Sequence, residues 1–240
     1  MFEFEYMNLV VDMFKTVHDT QKEMIRKLAL LFADNIREDR MIHVFGTGHS
    51  HMVGIEMFVR AGGLANVNAM LDPDTLTSNG ARRSGAIEKC VGMADIVYDQ
   101  YDIKPKDIMI ITSNSGRNAM PIEMALRAKK EGVITIALTN LHQSKETMSR
   151  HPSGKKLYEI VDYVVDNCVP AGDALMTYGT VKSGPASSMT TLLIVNTILT
   201  EALTILHQKG FKLPVFQSQN VDGVSNDWLY EKYADRVKHI

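Results

Sequence analysis

The chain has 240 residues, with 26 Lys+Arg against 28 Asp+Glu for a formal net charge of −2; 45% of it is hydrophobic and 22% charged. That balance belongs to a packed globular protein and excludes a disordered tail, a collagen-like repeat and a disulfide-stapled miniprotein. With no dense Lys/Arg run and a near-neutral total, nucleic acid is not an expected partner.

The opening Met1-Phe-Glu-Phe-Glu-Tyr6 carries two carboxylates where a secretory signal would be basic. Apolar residues then recur at helical spacing from about Tyr6 to Arg37 (Leu9, Val10, Met13, Val17, Met24, Ile25, Leu28), with charges on the opposite face. This predicts an amphipathic helix, or two in succession, stopped by Glu38-Asp39-Arg40. The period then changes. Met41–Phe45 is a short apolar strand running into Gly46-Thr-Gly-His-Ser50, followed by a helix over Met52–Arg60 and a second strand over Ala65–Met70. Leu71–Arg83, with Asp72-Pro-Asp74 and Asn79-Gly80, is predicted as a loop. Asp107–Thr112 is the clearest buried strand; Ser113-Asn-Ser-Gly-Arg-Asn118 follows it, then a helix opened by Pro121 and ended by Gly132.

Val133–Leu138 and Val161–Asp166 supply two more strands, and a long helix covers about Pro185–His207. Its apolar run Leu192–Leu199 is broken by Asn196 and Thr197, short of the ~20 residues a membrane span needs. The expectation is a soluble, cytoplasmic chain with no membrane partner. Cys90 and Cys168 sit among apolar neighbours and are expected as buried free thiols. Strands alternating with helices predict an α/β fold, a three-layer sandwich around a mainly parallel five-stranded sheet. One domain over 1–240 is expected, with a helical extension over about 6–38 and a tail over about 210–240.

In such sheets ligands bind beyond the carboxyl ends of the strands. Gly46-Thr-Gly-His-Ser50 begins like a dinucleotide fingerprint, but His51 stands where the third glycine is required. No Walker-type loop is present either. In the Ser113–Asn118 loop, hydroxyls, backbone N–H groups and a helix N-terminus converge on one point, an arrangement suited to a phosphate.

Gly46-Thr-Gly-His-Ser50, Ser113–Asn118, Gly132–Thr139 and Lys182-Ser-Gly-Pro-Ala-Ser-Ser188, in that order over about residues 40–205, resemble the SIS (sugar isomerase) domain. The likeness is to a SIS group without an assigned reaction, and also to phosphoheptose isomerase and N-acetylmuramic acid 6-phosphate etherase. It implies a phosphosugar site, with the phosphate on Ser113, Asn114, Ser115 and Gly116. Asn118 stands where the family carries Ser or Thr. Gly48 and Ser50 would face the sugar, Ser187 and Ser188 would approach from the last long helix, and Arg117 would stand near the phosphate. A homodimer or homotetramer is expected, with the tail either on its own surface or completing a neighbour's pocket.

Aldose–ketose isomerisation needs a proton carrier between C1 and C2 and an acid to open the ring. His49 and His51 flank Ser50 at a strand end, Glu56 lies in the apolar helix that follows, and Glu88 lies in a later helix. Asp74, after Pro73, corresponds to the Pro-Glu acid of the etherases. His49, His51 and Glu56 match no specific zinc spacing, so no metal or other cofactor is expected. An isomerase leads; an etherase or lyase on an amino-sugar phosphate, or a non-catalytic sugar-phosphate sensor, stays open.

Overall fold

A computed structural model describes residues 1–240. Its centre is a wholly parallel sheet of β1 (Ile42–Gly46), β2 (Val67–Ala69), β3 (Ile108–Thr112), β4 (Ile134–Thr139) and β5 (Tyr163–Asp166), in the order β2-β1-β3-β4-β5. Both faces are covered, so the strands are mainly apolar, with His43, Asn68 and Thr135 as buried polar exceptions, and alternate residues enter two different cores. Ile42, Val44, Ile108, Ile110, Ile136 and Leu138 point to one side. There they meet α1 (Glu5–Arg37), α2 (His51–Met57) and α7 (Ser187–Gln208). Phe45, Met109, Ile111 and Ala137 point to the other, against α4 (Met93–Tyr98) and α5 (Ala119–Lys130). The three-layer αβα sandwich predicted from the strand–helix alternation is the observed architecture.

The long helix α1 packs along α7. The latter is apolar enough by length and composition to cross a bilayer, with mean hydropathy 1.7 over its 18-residue window. It is nevertheless a core helix here: Ile194, Val195, Ile198, Leu199, Ala202 and Leu206 are all buried. The unbroken-run criterion missed that capacity because Asn196 and Thr197 interrupt the run without lowering the average much.

Several local expectations change. The second strand is shorter than Ala65–Met70, covering only Val67–Ala69. The 71–83 stretch holds two 3-10 turns, Pro73–Thr75 and Thr77–Asn79, and the start of α3 (Ala81–Ile87). Helix α2 stops at Met57, because Phe58 turns extended and Val59 takes φ 34°. The short α4 and α6 (Leu141–Glu146) and the antiparallel ribbon β6 (Met176–Tyr178)–β7 (Val181–Ser183) have too few residues to show a period. Cys90 is exposed and Cys168 half-buried, so neither is the fully buried thiol expected; both are free. Cys90 follows the last turn of α3, where Val91 is also exposed at 60%. The tail returns to its own chain. Phe216 and, from α8 (Asp227–Tyr233) onward, Leu229, Tyr233 and Val237 bury with Met41 and Ala65, while Asn68 of β2 bonds the main chain of Arg236 and Lys238.

Candidate functional site

A sheet of order 2-1-3-4-5 reverses its winding between β1 and β3, and the crevice outside those carboxyl ends is where ligands bind in such folds. A cavity of about 160 Å³ lies there, lined by His49, Ser50, Met52 and Val53 after β1 and Thr112 and Asn114 after β3. Its other walls are Asn167 after β5, Asp173, and Ser187, Ser188 and Thr191 at the start of α7.

The first wall depends on two glycines. A Cβ on Gly46 would lie 2.6 Å from the carbonyl oxygen of Ser50, so only glycine lets the chain fold back so tightly. Gly48 has φ 57°. The resulting turn, Gly48–Ser50, leaves His49 exposed at the cavity and the Ser50 hydroxyl beside it. His51, by contrast, is buried at 3% exposure. Its Nδ1 lies 3.0 Å from the Gly48 carbonyl oxygen and its Nε2 3.1 Å from Thr75 Oγ1. A neutral ring donates from Nδ1 to Gly48, while its Nε2 and the Asp72 carbonyl at 2.9 Å share the Thr75 hydroxyl, and burial holds the His51 pKa below the ordinary histidine value. His51 thus ties the first loop to the 71–83 stretch.

The Ser113–Asn118 loop is shaped from behind. Ser113 Oγ accepts the Gly116 N–H at 3.2 Å, and Gly116, at φ 56°, has only 3.0 Å between its absent Cβ and Ser144 Oγ. The Gly116 carbonyl receives the Leu157 N–H at 2.9 Å and the Arg117 carbonyl the Arg150 N–H at 2.8 Å. Arg150 also donates to Asn118 Oδ1 at 3.1 Å. Beneath the loop the buried Lys156 ammonium donates to the carbonyl oxygens of Ser144 and Thr147 and to Thr147 Oγ1, closing the end of α6. Burial, followed by the Arg117 charge, holds its pKa below the usual lysine range. In front, Ser115 is half-buried, and the N–H groups of Ser115, Arg117 and Asn118 find no acceptor within the chain. They stand at the positive end of α5.

Across the cavity, Asp173 caps α7 from the preceding loop. Its carboxylate accepts from the Ala186 N–H at 3.0 Å, the Ser187 N–H at 2.7 Å and the Ser187 hydroxyl at 2.5 Å. Ser50 and Ser188 line the cavity, and Thr112 Oγ1 is buried without a hydrogen-bond partner.

The structure therefore brings together His49, Ser50, Asn114, Ser187 and Ser188 on one cavity. Ser113, Ser115, Gly116 and Asn118 form the adjoining loop. Glu56 lies elsewhere, its carboxylate bonded to Asn196 of α7 at 2.8 Å and paired with Arg60. Asp74 is paired with Arg83 at 2.6 Å, outside the cavity lining. Glu88 ends α3, and its carbonyl accepts the Met120 N–H of α5. Residues that sequence reasoning missed are Thr112, Asn167, Asp173 and Thr191. Asn167 and Thr112 were findable as polar residues at the carboxyl ends of apolar strands; Asp173 carried no local signal.

A model of the SIS domain matches residues 5–140. A UPF0309 protein of Caldanaerobacter subterraneus subsp. tengcongensis is 38% identical over 242 residues, covering 98% of each chain. Another, from Halalkalibacterium halodurans, is 38% identical over 222 residues, covering 91% of this chain and 92% of its own. Among solved structures, the phosphoheptose isomerase GmhA of Neisseria gonorrhoeae superposes with a TM-score of 0.56 at 16% identity, over 81% of this chain and 93% of its own. A phosphoheptose isomerase of Francisella tularensis gives 0.54 at 15% identity, over 83% and 95%. These two share the fold. From the domain match over more than half its length and relatives similar along nearly all of it, the chain belongs to the SIS-domain family and to its UPF0309 group.

Proposed function

We propose that the chain binds a sugar phosphate at the β1/β3 crevice and interconverts its aldose and ketose forms. The observation that carries this reading is the convergence of one imidazole, His49, with Ser50, Ser188 and the unpartnered Thr112 hydroxyl on a single cavity beside an N–H-lined turn. The phosphate sits over the Asn114–Ser115 turn, on the free N–H groups at the start of α5 and the Ser115 hydroxyl. Ser113 contributes by shaping that turn. The sugar then extends into the cavity, where Ser50 and Ser188 bond its hydroxyls and His49 carries the proton between C1 and C2. General acid–base work of this kind contributes about 10²–10⁴-fold in rate. His51 holds the loop that presents His49. The two solved neighbours with the same fold are both phosphoheptose isomerases, which supports isomerisation. The etherase alternative has less support, because Asp74 is engaged by Arg83 outside the cavity.

A panel of sugar phosphates in a thermal-shift assay tests binding, since a ligand stabilises by RT ln(1 + [L]/Kd). The stabilising compound is then incubated in D2O and followed by NMR for deuterium at C1 or C2. The expected result is exchange by the wild-type chain and its loss in His49→Asn, with an unchanged melting temperature. Binding without exchange overturns the isomerase and favours a sensor; no stabilisation by any sugar phosphate overturns both.

A further inference from the structure

We infer that Asn167 sets the polarity of the cavity floor, fixing the Asn114 side-chain amide as a hydrogen-bond donor to the carbonyl oxygen of the bound sugar. The inference rests on the isomerase reading of this cavity and adds a positioning residue to it. A side-chain amide has a donor end and an acceptor end, and its neighbours decide which end faces where. The Val169 N–H can only donate, and the Asn167 side chain meets it with Oδ1 at 3.3 Å. Asn167 must then turn its Nδ2 the other way, where it donates to Asn114 Oδ1 at 2.8 Å. With its oxygen taken, Asn114 has its NH2 group left for the cavity that it lines.

The relay is held firmly at both ends. Asn167 is 2% exposed, and its own N–H donates to the Thr139 carbonyl at 2.9 Å. The Asn114 carbonyl accepts from the Asn140 N–H at 3.0 Å and Thr139 Oγ1 at 3.2 Å, which stops the residue from rotating as a whole. Beside it, the buried Thr112 hydroxyl lacks any partner in a residue only 6% exposed, a cost that a bound polar atom relieves.

Such a floor suits an oxygen that gains charge during the reaction. When His49 takes the C2 proton of an open-chain aldose, the C–H electron pair becomes the C1–C2 double bond and the carbonyl pair moves onto O1. The Asn114 N–H meets that charge where it develops. Return of the proton to C1, with the O2 proton passing to O1, gives the ketose.

Asn167→Asp tests the relay, because a carboxylate facing Asn114 accepts rather than donates and forces the Asn114 amide to reverse. The expected result, with fructose 6-phosphate as probe, is a fall in kcat for deuterium exchange of about 100-fold with KM within about threefold. Asn114→Ala should fall at least as far, and its combination with Asn167→Asp no further than the worse single. Retention of kcat within about threefold in Asn167→Asp, or a loss confined to KM, overturns the inference. If the wild-type chain binds fructose 6-phosphate without exchanging it, the isomerase reading fails separately. The relay is then judged by the Asn114 side-chain 15N resonances, which should shift on binding in the wild type and stay unmoved in Asn167→Asp. Unmoved wild-type resonances overturn it.

Discussion

Asp173 offers a sharp test of how the cavity wall is built. Its carboxylate receives three hydrogen bonds at the start of α7 while its own backbone stands at φ 53°. Removing a helix cap costs about 1–2 kcal/mol, and hydrogen bonds to a charged acceptor are worth about 1.5–3 kcal/mol each when well shielded. The residue is half-exposed, so solvent screening reduces the second figure, and we expect a loss of about 2 kcal/mol for the side chain. An alanine at positive φ adds about 1 kcal/mol of backbone strain, which glycine avoids. Asp173→Ala should therefore lose about 3 kcal/mol, Asp173→Gly about 2 and Asp173→Asn about 1, since asparagine keeps an acceptor and tolerates the left-handed region. For a chain of this size, about 3 kcal/mol lowers the melting temperature by about 6 to 12 °C. Urea denaturation monitored by circular dichroism, with melting curves alongside, gives the three values. An alanine variant no less stable than the asparagine one would refute the capping argument, and equal alanine and glycine values would refute the strain.

The buried His51 makes stability depend on pH. With the folded pKa lowered, the unfolded chain takes up its proton first. Stability is therefore complete above about pH 6.5 and falls as pH drops below it, by up to about 1.4 kcal/mol per unit. Urea midpoints at several pH values check this, and His51→Gln should remove that part of the dependence. Gly46→Ala places a Cβ 2.6 Å from a backbone oxygen and should cost about 1–3 kcal/mol while displacing Ser50; a crystal structure with Ser50 unmoved would contradict it. Tyr233→Ala, which empties the tail's buried cluster, should cost about 3–5 kcal/mol in urea denaturation, since Tyr233 is 1% exposed.

The sheet was legible because its strands are buried on both faces, and that burial writes itself as the unbroken apolar run Ile108–Ile111 in β3 and as runs interrupted only by His43 in β1 and Thr135 in β4. The glycines and serines at the ends of β1 and β3 were legible for a similar reason: tight turns restrict residue type. Which carboxylate or imidazole meets the cavity was not, because that depends on partners far away in sequence. Glu56 looks anomalous within an apolar helix until Asn196, 140 residues on, accounts for it. His49 and His51 are indistinguishable by spacing, yet one is exposed at the cavity and the other is locked between Gly48 and Thr75. Asp173 acts across 14 residues of ribbon and turn, beyond any local pattern.

The cavity draws its two sides from separate stretches of chain, residues 49–114 on one side and 167–191 on the other. The first carries the loops after β1 and β3; the second carries Asn167, Asp173, Ser187, Ser188 and Thr191, which line the opposite side of the same cavity. Apart from the Asn114–Asn167 hydrogen bond that ties them together, the two can change independently. On the sugar-phosphate reading proposed above, relatives that keep the first stretch and vary the second would hold the same anionic handle while choosing different sugars, so substrate range should track the C-terminal third of the chain.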